Sequence, residues 1–271
     1  MSDTTTDVVV VGGGPAGMMA GYLFARAGVS VRVLEKHADF FRDFRGDTVH
    51  PSTMEVLDQL GLLAAFLTRP HDRVESAEIR IAGVDYTIGD LSHLDTPAPF
   101  IAMMPQWHFL DFLRDAAAAL PAFTLEMEAE AEAFIEEGGR IAGIHVADGR
   151  ELRASKLVIA ADGRSSLVRK LALLPVLQIG APMDVLWFHL PKNDNAGEAL
   201  RGAIDTGRMA VLIDRRTYWQ TAFLIPKGAA EEVKARGTDW IREQMHALFP
   251  ELDFKGGLGS AEDLHLLSVA L

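Results

Sequence analysis

The first residues of the chain that could do chemistry are three glycines and a carboxylate further along. Gly12, Gly14 and Gly17 form the pattern Gly-x-Gly-x-x-Gly, and Glu35 ends the next apolar run. In this pattern the first glycine permits a tight turn, the second lets a pyrophosphate approach the backbone, and the third lets a helix pack closely on a strand. A carboxylate at the position of Glu35 accepts hydrogen bonds from a ribose and repels a 2′-phosphate. The spacing therefore predicts a dinucleotide whose adenosine is not that of NADP.

The elements around these residues follow the order that such a site requires. Apolar residues 8–11 predict a buried parallel strand, a helical stretch follows the glycines, and residues 31–34 predict a second strand that ends at Glu35. The helix N-terminus offers N–H groups and the positive end of the helix dipole to the pyrophosphate. This register of strand, helix, strand and acid favours nucleotide binding over a glycine-rich turn without function.

Composition narrows the class of protein. The chain has 271 residues, a formal net charge of −12, nine histidines and no cysteine. The negative charge argues against a nucleic-acid partner, and the lack of cysteine excludes disulfides and thiol catalysis. The histidines are scattered without ligand spacing, so we predict no metal site. The polar, acidic N-terminus and the short apolar runs predict no secretory signal and no membrane association, and we expect a cytoplasmic protein.

The rest of the sequence indicates an α/β fold with a Rossmann-like domain, a parallel sheet, a small β-meander and an interleaved antiparallel-sheet domain. Ser52 to Glu55 reads as a capping box for a helix over 53–60, and residues 123–153 read as an antiparallel meander. Further predicted elements are strands at 77–81, 85–88, 100–104, 185–190, 209–213 and 218–225, turns at Gly83 and Gly89, and helices at 106–120 and 238–248. We predict a nucleotide domain from 1–73 and 107–175, with 255–271 as a further candidate piece, and substrate-domain inserts at 74–106 and 176–254.

Three stretches of the chain resemble the FAD-dependent aromatic hydroxylases of the p-hydroxybenzoate hydroxylase type, the class A flavoprotein monooxygenases. The first is the glycine motif with Glu35-Lys36, and the second is Arg45-Gly46 with the helix that ends in Gln-Leu-Gly-Leu at 59–62. The third is Ala-Asp-Gly-Arg-Ser-Ser-Leu-Val-Arg at 161–169, which resembles the family's "DG" motif. Gln106 also matches a glutamine that contacts the flavin in these enzymes.

The resemblance implies an FAD site and roles for its residues. The glycine motif would hold the pyrophosphate, Glu35 the adenosine ribose, Arg45 with Arg42 the pyrophosphate and ribityl chain, and Asp162 the flavin and the passage of NAD(P)H. The implied cofactor-binding residues are Gly12, Gly14, Pro15, Ala16, Gly17, Glu35, Lys36, Arg42, Arg45, Gln106, Asp162 and Gly163.

The resemblance also implies an activity. NADPH or NADH would reduce FAD, dioxygen would add to give a flavin hydroperoxide, and its distal oxygen would pass to a phenolic substrate. Because the cofactor carries this chemistry, no set of catalytic side chains is predicted. Strand alternation sends Tyr218, Gln220 and Ala222 to one face and Trp219, Thr221 and Phe223 to the other, and one of these faces should line a cavity for the small aromatic substrate.

Other interpretations stay open. The family's third motif, a Gly-Asp pair, is not found, so we expect a chain truncated before it, with part of the sheet unpaired. Such a chain could be a non-catalytic FAD-binding fragment, a homodimer, or a protein that needs a partner to supply the segment. A flavin-dependent halogenase is disfavoured because residues 219–226 read Trp-Gln-Thr-Ala-Phe-Leu-Ile-Pro, not Trp-x-Trp-x-Ile-Pro. An NAD-dependent dehydrogenase would leave the DG segment unexplained.

Overall fold

The structure is a computed structural model that describes residues 4–41, 48–177, 179–192, 200–215, 217–254, 258 and 260–269. The chain divides into two compact units. The first unit comprises Met1–Asp47 and Met104–Val176, and the second comprises Thr48–Met103 and Leu177–Leu271. No helix in these described ranges is both long enough and apolar enough to cross a membrane.

The first unit is built on a six-stranded mixed sheet with the order β8-β2-β1-β11-β10-β9. Its strands are β1 (Thr4–Val11), β2 (Val31–Leu34), β8 (Phe123–Glu126), β9 (Ala131–Glu137), β10 (Arg140–Val146) and β11 (Glu151–Ala160). Strands β8, β2, β1 and β11 run parallel, and β11, β10 and β9 form an antiparallel meander. The helices are α1 (Pro15–Arg26), α4 (Gln106–Ala118) and α5 (Leu167–Leu171).

The apolar run at the start of the chain forms the centre of this mixed sheet. Val9 and Val10 are fully buried, as expected for a parallel strand covered on both faces. Helix α1 lies close to the sheet at Gly21, where a Cβ atom would come within 2.6 Å of Val33 and 2.8 Å of Phe123. The predicted βαβ unit is therefore present, and it places the glycine motif at the carboxyl ends of the strands.

The meander predicted over residues 123–153 is wrong at its first strand. Strand β8 pairs parallel with β2 and forms the edge of the mixed sheet, so only β9, β10 and β11 make the meander. The reason is the chain path, since a long connection that ends in helix α4 separates β8 from β2, and a connection of this length allows a strand to run parallel to its neighbour. The predicted turns are correct, because Gly138, Gly139 and Gly149 all have positive φ.

One central strand of the mixed sheet is paired over only part of its length. Strand β1 pairs with β11 from Leu152 to Ala160, whereas β10 pairs only with Glu151, Leu152 and Arg153. Within the described residues no strand pairs with 155–160 on the side away from β1. Leu157 in this half of β11 is 47% exposed. An unpaired part of the sheet was expected; truncation of the chain stays a prediction.

The second unit contains a seven-stranded large sheet with the order β16-β12-β15-β14-β13-β5-β6 and a three-stranded small sheet with the order β3-β7-β4. The strands are β3 (Thr48–Val49), β4 (Asp72–Val74), β5 (Ser76–Ile81), β6 (Val84–Asp90), β7 (Ile101–Met103), β12 (Met183–Pro191), β13 (Leu200–Asp205), β14 (Arg208–Asp214), β15 (Tyr218–Pro226) and β16 (His265–Ser268). The helices are α2 (Pro51–Gln59), α3 (Leu63–Phe66), α6 (Ala230–Ala235) and α7 (Gly237–Leu248).

Helices α6 and α7 cover one face of the large sheet. Their apolar side chains form one core with alternate residues of the central strands. Members of this core include Leu186, Phe188, Trp219, Phe223, Ile241, Met245, Leu248, Phe249 and Phe254. Trp219 and Phe223 belong to this core and Thr221 between them is fully buried, so these three residues share one face of β15 as predicted, and that face is the helix side.

Two local expectations in this unit are wrong. Helix α2 begins at Pro51 after His50 and has no side-chain cap, so Ser52 lies inside the helix and forms no capping box. Proline is favoured at the first helical position because its fixed φ suits the helix and its missing N–H is not needed there. Gly89 lies within β6, next to an irregularity in the register with β5, and is not a turn residue.

The units also divide the chain at residues other than those predicted. Residues 48–73, predicted to belong to the nucleotide domain, lie in the second unit. Strand β16, in the segment 255–271, pairs with β12 in the large sheet.

Candidate nucleotide site

The glycine motif has the conformation of a loop that tolerates side chains at some positions and not at others. Gly12 has φ +107°, and a Cβ atom there would lie 2.3 Å from the Ala161 carbonyl oxygen. A Cβ atom at Gly17 would lie 1.8 Å from the Gly12 carbonyl oxygen. A Cβ atom at Gly14 would meet no described atom within 4 Å. The loop is therefore packed against protein at Gly12 and Gly17 and is open at Gly14, where a ligand needs to approach.

Helix α1 begins in this open region. Gly14 is the N-cap and Pro15 the first helical residue, and no side chain caps the helix. The N–H groups of Ala16 and Gly17 lie in the first turn, where no residue four positions earlier in the helix can accept them. An uncapped first turn with the positive end of the helix dipole suits a phosphate group.

Glu35 is fixed at the end of β2 by two main-chain donors. The N–H of Gly13 donates to Oε2 at 3.0 Å, and the N–H of His37 donates to Oε1 at 3.1 Å. Only 12% of its side chain is exposed, whereas Lys36 is exposed. Each carboxylate oxygen can accept more than one hydrogen bond, so Glu35 can still accept from a ribose hydroxyl. The contact with Gly13 links this acid to the glycine loop.

The DG segment forms a self-capped loop directly after β11. Asp162 accepts a hydrogen bond from Ser166 Oγ at 2.5 Å and another from the Val168 N–H at 3.1 Å. Ser166 Oγ in turn accepts the N–H of Arg169 at 3.0 Å and caps α5. Asp162 therefore orders the turn at Gly163, which has φ +84°. Its contact with a flavin stays a prediction.

The glycine loop and the DG segment meet in the structure. Gly12 packs against the main chain of Ala161, and the Ala161 N–H donates to the Val11 carbonyl at 2.7 Å. Both loops lie at the carboxyl ends of paired parallel strands, which is where ligands bind in open α/β sheets. The two motifs thus form one candidate site although about 150 residues separate them in the chain. Parallel pairing joins strands that are distant in the sequence, and this brings the motifs together.

The remaining predicted residues are placed less completely. Gln106 is the first residue of α4, which packs against α1 in the same unit. Arg42 and Arg45 lie outside the described residues. Sequence reasoning missed the roles of Ala161 as the partner of Gly12 and of Ser166 as the partner of Asp162. The signal for Ser166 was available, since a serine before the helical stretch Leu-Val-Arg-Lys is a common N-cap.

Comparisons with known proteins show the family of the chain and its fold. The family described as "FAD binding domain" matches residues 5–254 of the chain. The chain belongs to this family. Its resemblance to FAD-dependent aromatic hydroxylases is confirmed at the level of the family, and so is the mixed α/β fold.

One curated relative and two solved structures are similar to almost the whole chain. The 6-methylpretetramide 4-monooxygenase of Streptomyces rimosus is 31% identical over 97% of this chain, and the match spans 64% of that protein. The chain thus spans less than two thirds of the length of this relative. The crystal structure of pqsL, a probable FAD-dependent monooxygenase from Pseudomonas aeruginosa, has a TM-score of 0.80 at 21% identity and covers 98% of this chain and 74% of that chain. The myxobacterial chondrochloren halogenase CndH has a TM-score of 0.78 at 16% identity, with coverages of 98% and 64%. Likeness at these identities shows the fold alone.

Proposed function

We propose that this protein is an FAD- and NAD(P)H-dependent monooxygenase that hydroxylates a small aromatic molecule. The observation that carries the proposal is the contact between Gly12 and Ala161, which joins the glycine loop to the DG segment in one site. A dehydrogenase needs only the first of these motifs. The family match supports FAD as the cofactor, and the name of the S. rimosus relative supports oxygen transfer as the reaction.

The described residues fit the adenosine half of FAD. The first turn of α1 would bind the pyrophosphate through the N–H groups of Ala16 and Gly17, with Gly14 leaving room for it. Glu35, held by Gly13, would accept from the ribose hydroxyls. Roles for Lys36, Arg42, Arg45 and Gln106 rest on the family resemblance and belong to the same proposal.

FAD, once held by these residues, would supply electron transfer between NAD(P)H and dioxygen by the route that the resemblance implies. One oxygen atom enters the aromatic ring in place of hydrogen, and the other leaves as water: Ar–H, O₂, NAD(P)H and H⁺ give Ar–OH, H₂O and NAD(P)⁺. The protein's own part is to bind and orient the cofactor and to keep bulk water away from it. Asp162 acts by holding the DG loop in place through Ser166 and α5.

The substrate would be held by the second unit. On β15, Tyr218, Gln220 and Ala222 lie on the face opposite α6 and α7, and His189 of β12 lies beside Tyr218 with ring centroids 4.3 Å apart. Aromatic rings with polar edges on a strand face suit an aromatic substrate that carries a hydroxyl group. We assign this face, and not the Trp219 face, to the substrate.

The test is a visible absorbance spectrum of the purified protein with added FAD, followed by NADH and NADPH oxidation with and without phenolic compounds. We expect bound flavin, substrate-stimulated oxidation of NAD(P)H, and one atom of ¹⁸O₂ in the product. Flavin binding without any oxidation would favour the non-catalytic fragment, and a product formed only with halide would favour the halogenase. A protein that binds no FAD would refute the site.

A further inference from the structure

A second carboxylate, that of Glu126, lies in the mixed sheet at the end of the strand next to Glu35. Glu126 is the last residue of β8, and only 15% of its side chain is exposed. Its Oε1 atom forms an ion pair with Nη1 of Arg32, and its Oε2 atom accepts from Nη1 of Arg150 at 2.8 Å. We call Arg32, Glu126 and Arg150 the ion triad. The triad joins β2, β8 and the turn between β10 and β11, so it fixes the carboxyl end of β8 to both neighbours.

The two cations of the ion triad depend on the charge of Glu126. The side chain of Arg32 is 18% exposed, and Glu126 is the one carboxylate that the described part of the chain brings within ion-pair distance of it. Arg150 is more exposed and also pairs with Asp148, with Nε 2.7 Å from Oδ2. Removing the charge of Glu126 would leave a largely buried guanidinium unpaired and close to a second one, which is costly. The strand end that carries residue 126 should then shift or loosen.

The main chain carries this constraint from the ion triad to Glu35. The Glu35 N–H donates to the Glu126 carbonyl at 2.8 Å, and the Ala129 N–H donates to the Glu35 carbonyl at 2.9 Å. The Glu128 N–H donates to the His37 carbonyl at 3.0 Å, and Glu128 itself has φ +54°. A non-glycine residue in this left-handed region is strained and must be held there by its surroundings. The end of β8 and the segment after it thus bond both main-chain groups of Glu35.

We propose that Glu126 is a positioning residue of the nucleotide site. The ion triad fixes the end of β8, and β8 in turn fixes Glu35 at the place where it accepts from the adenosine ribose. This inference rests on the proposed function, since it needs Glu35 to bind a ribose hydroxyl. Glu126 acts through the main chain of Glu35 and not by touching the nucleotide. Its loss should therefore weaken recognition of the ribose hydroxyl more than recognition of the pyrophosphate at α1.

The first test compares ADP with 2′-deoxyadenosine diphosphate, each measured by displacement of FAD. Both carry the adenine and the pyrophosphate of FAD, and only ADP has the 2′-hydroxyl. Because a hydrogen bond to a charged group changes affinity roughly tenfold or more, the wild type should prefer ADP by about that factor. Glu126→Gln should lower this ratio of dissociation constants at least about threefold, as expected for residues in one hydrogen-bond network. General destabilisation of the fold would weaken both ligands and leave their ratio unchanged.

Asp214→Asn is the matched control for the loss of a largely buried ion pair. Asp214 pairs with Lys192 in the second unit, and its side chain is 18% exposed. Its ratio should stay within about twofold of the wild-type ratio. An unchanged ratio in Glu126→Gln, or an equal fall in Asp214→Asn, would overturn the positioning role. A wild type that binds FAD but does not distinguish the two diphosphates would refute the ribose contact of Glu35, and one that binds no FAD would refute the proposed function.

The second test, hydrogen exchange, needs no nucleotide and so separates the positioning role from the proposed function. In Glu126→Gln the amides of Glu35 and Ala129 should exchange at least about threefold faster, whereas those of β1 should keep their rates. Arg150→Gln changes the most exposed member of the ion triad and carries less risk to the fold. It should shift the exchange rates and the ratio in the same direction by a smaller factor. Unchanged rates at both amides in the two variants would overturn the inference.

Discussion

Adding one methyl group at Gly14 should weaken FAD binding and leave the fold intact. Gly14 has φ −70° and ψ −178°, which alanine adopts without strain. A Cβ atom there meets no described atom within 4 Å. The cost to stability is the poorer N-cap, about 1 kcal/mol or less. The methyl group nevertheless occupies the space in which the pyrophosphate would approach the first turn of α1.

The expected loss of affinity follows from the hydrogen bonds that the pyrophosphate would lose. A hydrogen bond to a charged group contributes about 1.5–3 kcal/mol. Displacing the phosphate from one N–H donor should therefore raise the dissociation constant of FAD roughly tenfold to a hundredfold. Isothermal titration or flavin fluorescence quenching measures this constant, and the thermal midpoint of the cofactor-free protein checks that the fold is unchanged.

Gly17→Ala is the matched comparison, because the same methyl group meets protein there. Its Cβ atom would lie 1.8 Å from the Gly12 carbonyl oxygen, a main-chain atom that cannot move aside without shifting the loop. Overpacking of this kind costs about 1–3 kcal/mol or more, so this variant should lose thermal stability even without cofactor. The reasoning is refuted if Gly14→Ala binds FAD as tightly as the wild type, or if Gly17→Ala is as stable as Gly14→Ala.

Four further variants test other parts of the structure. Glu35→Gln turns one of two acceptor oxygens into a donor that faces a main-chain N–H, and should cost about 1–3 kcal/mol in thermal unfolding and weaken FAD binding. Asp162→Ala removes the acceptor of Ser166, which caps α5, and of the Val168 N–H. The free energy needed to open α5 should fall by about 0.5–2 kcal/mol, and hydrogen exchange of the α5 amides, which becomes faster, measures this fall. Thr221→Val should be neutral or stabilising by about 1 kcal/mol in urea unfolding, because the buried hydroxyl has no hydrogen-bond partner among the described residues. The Gly228 N–H and neighbouring donors lower the pKa of Asp184 to about 2, below its value of about 3.9 in unfolded chains. The stabilising contribution of Asp184 is therefore full above about pH 4 and is lost as the pH falls through 2. Asp184→Asn should reduce the pH dependence of the free energy of unfolding between about pH 4 and pH 2.

Local patterns predicted the elements whose partners lie close in the sequence. The βαβ unit from β1 to β2 was predicted because glycine spacing, apolar runs and Glu35 all indicate the same structure. Helix α4 was predicted from its apolar spacing and from the proline that follows its end. Strand β13 and helix α6 were missed, because both are short and neither has a clear apolar period.

Pairing between distant strands could not be predicted from the strands themselves. Residues 123–126 have the same apolar alternation whether they run parallel to β2 or antiparallel to β9. The path of the chain through α4 decides between these partners, and strand composition does not record that path. The same holds for β16, whose residues pair with β12 in the large sheet although they lie at the far end of the sequence.

The candidate site depends on such a distant pairing. Gly12 must be a glycine because Ala161 lies against it, and that contact exists only because β1 and β11 pair in parallel as far as Val11 and Ala160. A sequence motif alone therefore explains why Gly12 permits a turn, but not why a side chain is excluded there. The structure also changes the interpretation of Asp162. Its two oxygens hold Ser166 and the N-terminus of α5, so its first physical effect is to set the shape of the DG loop. Under the proposed function the loop-ordering aspartate and the cofactor-site aspartate would be the same residue, because a loop that must meet a cofactor has to be ordered before the cofactor arrives.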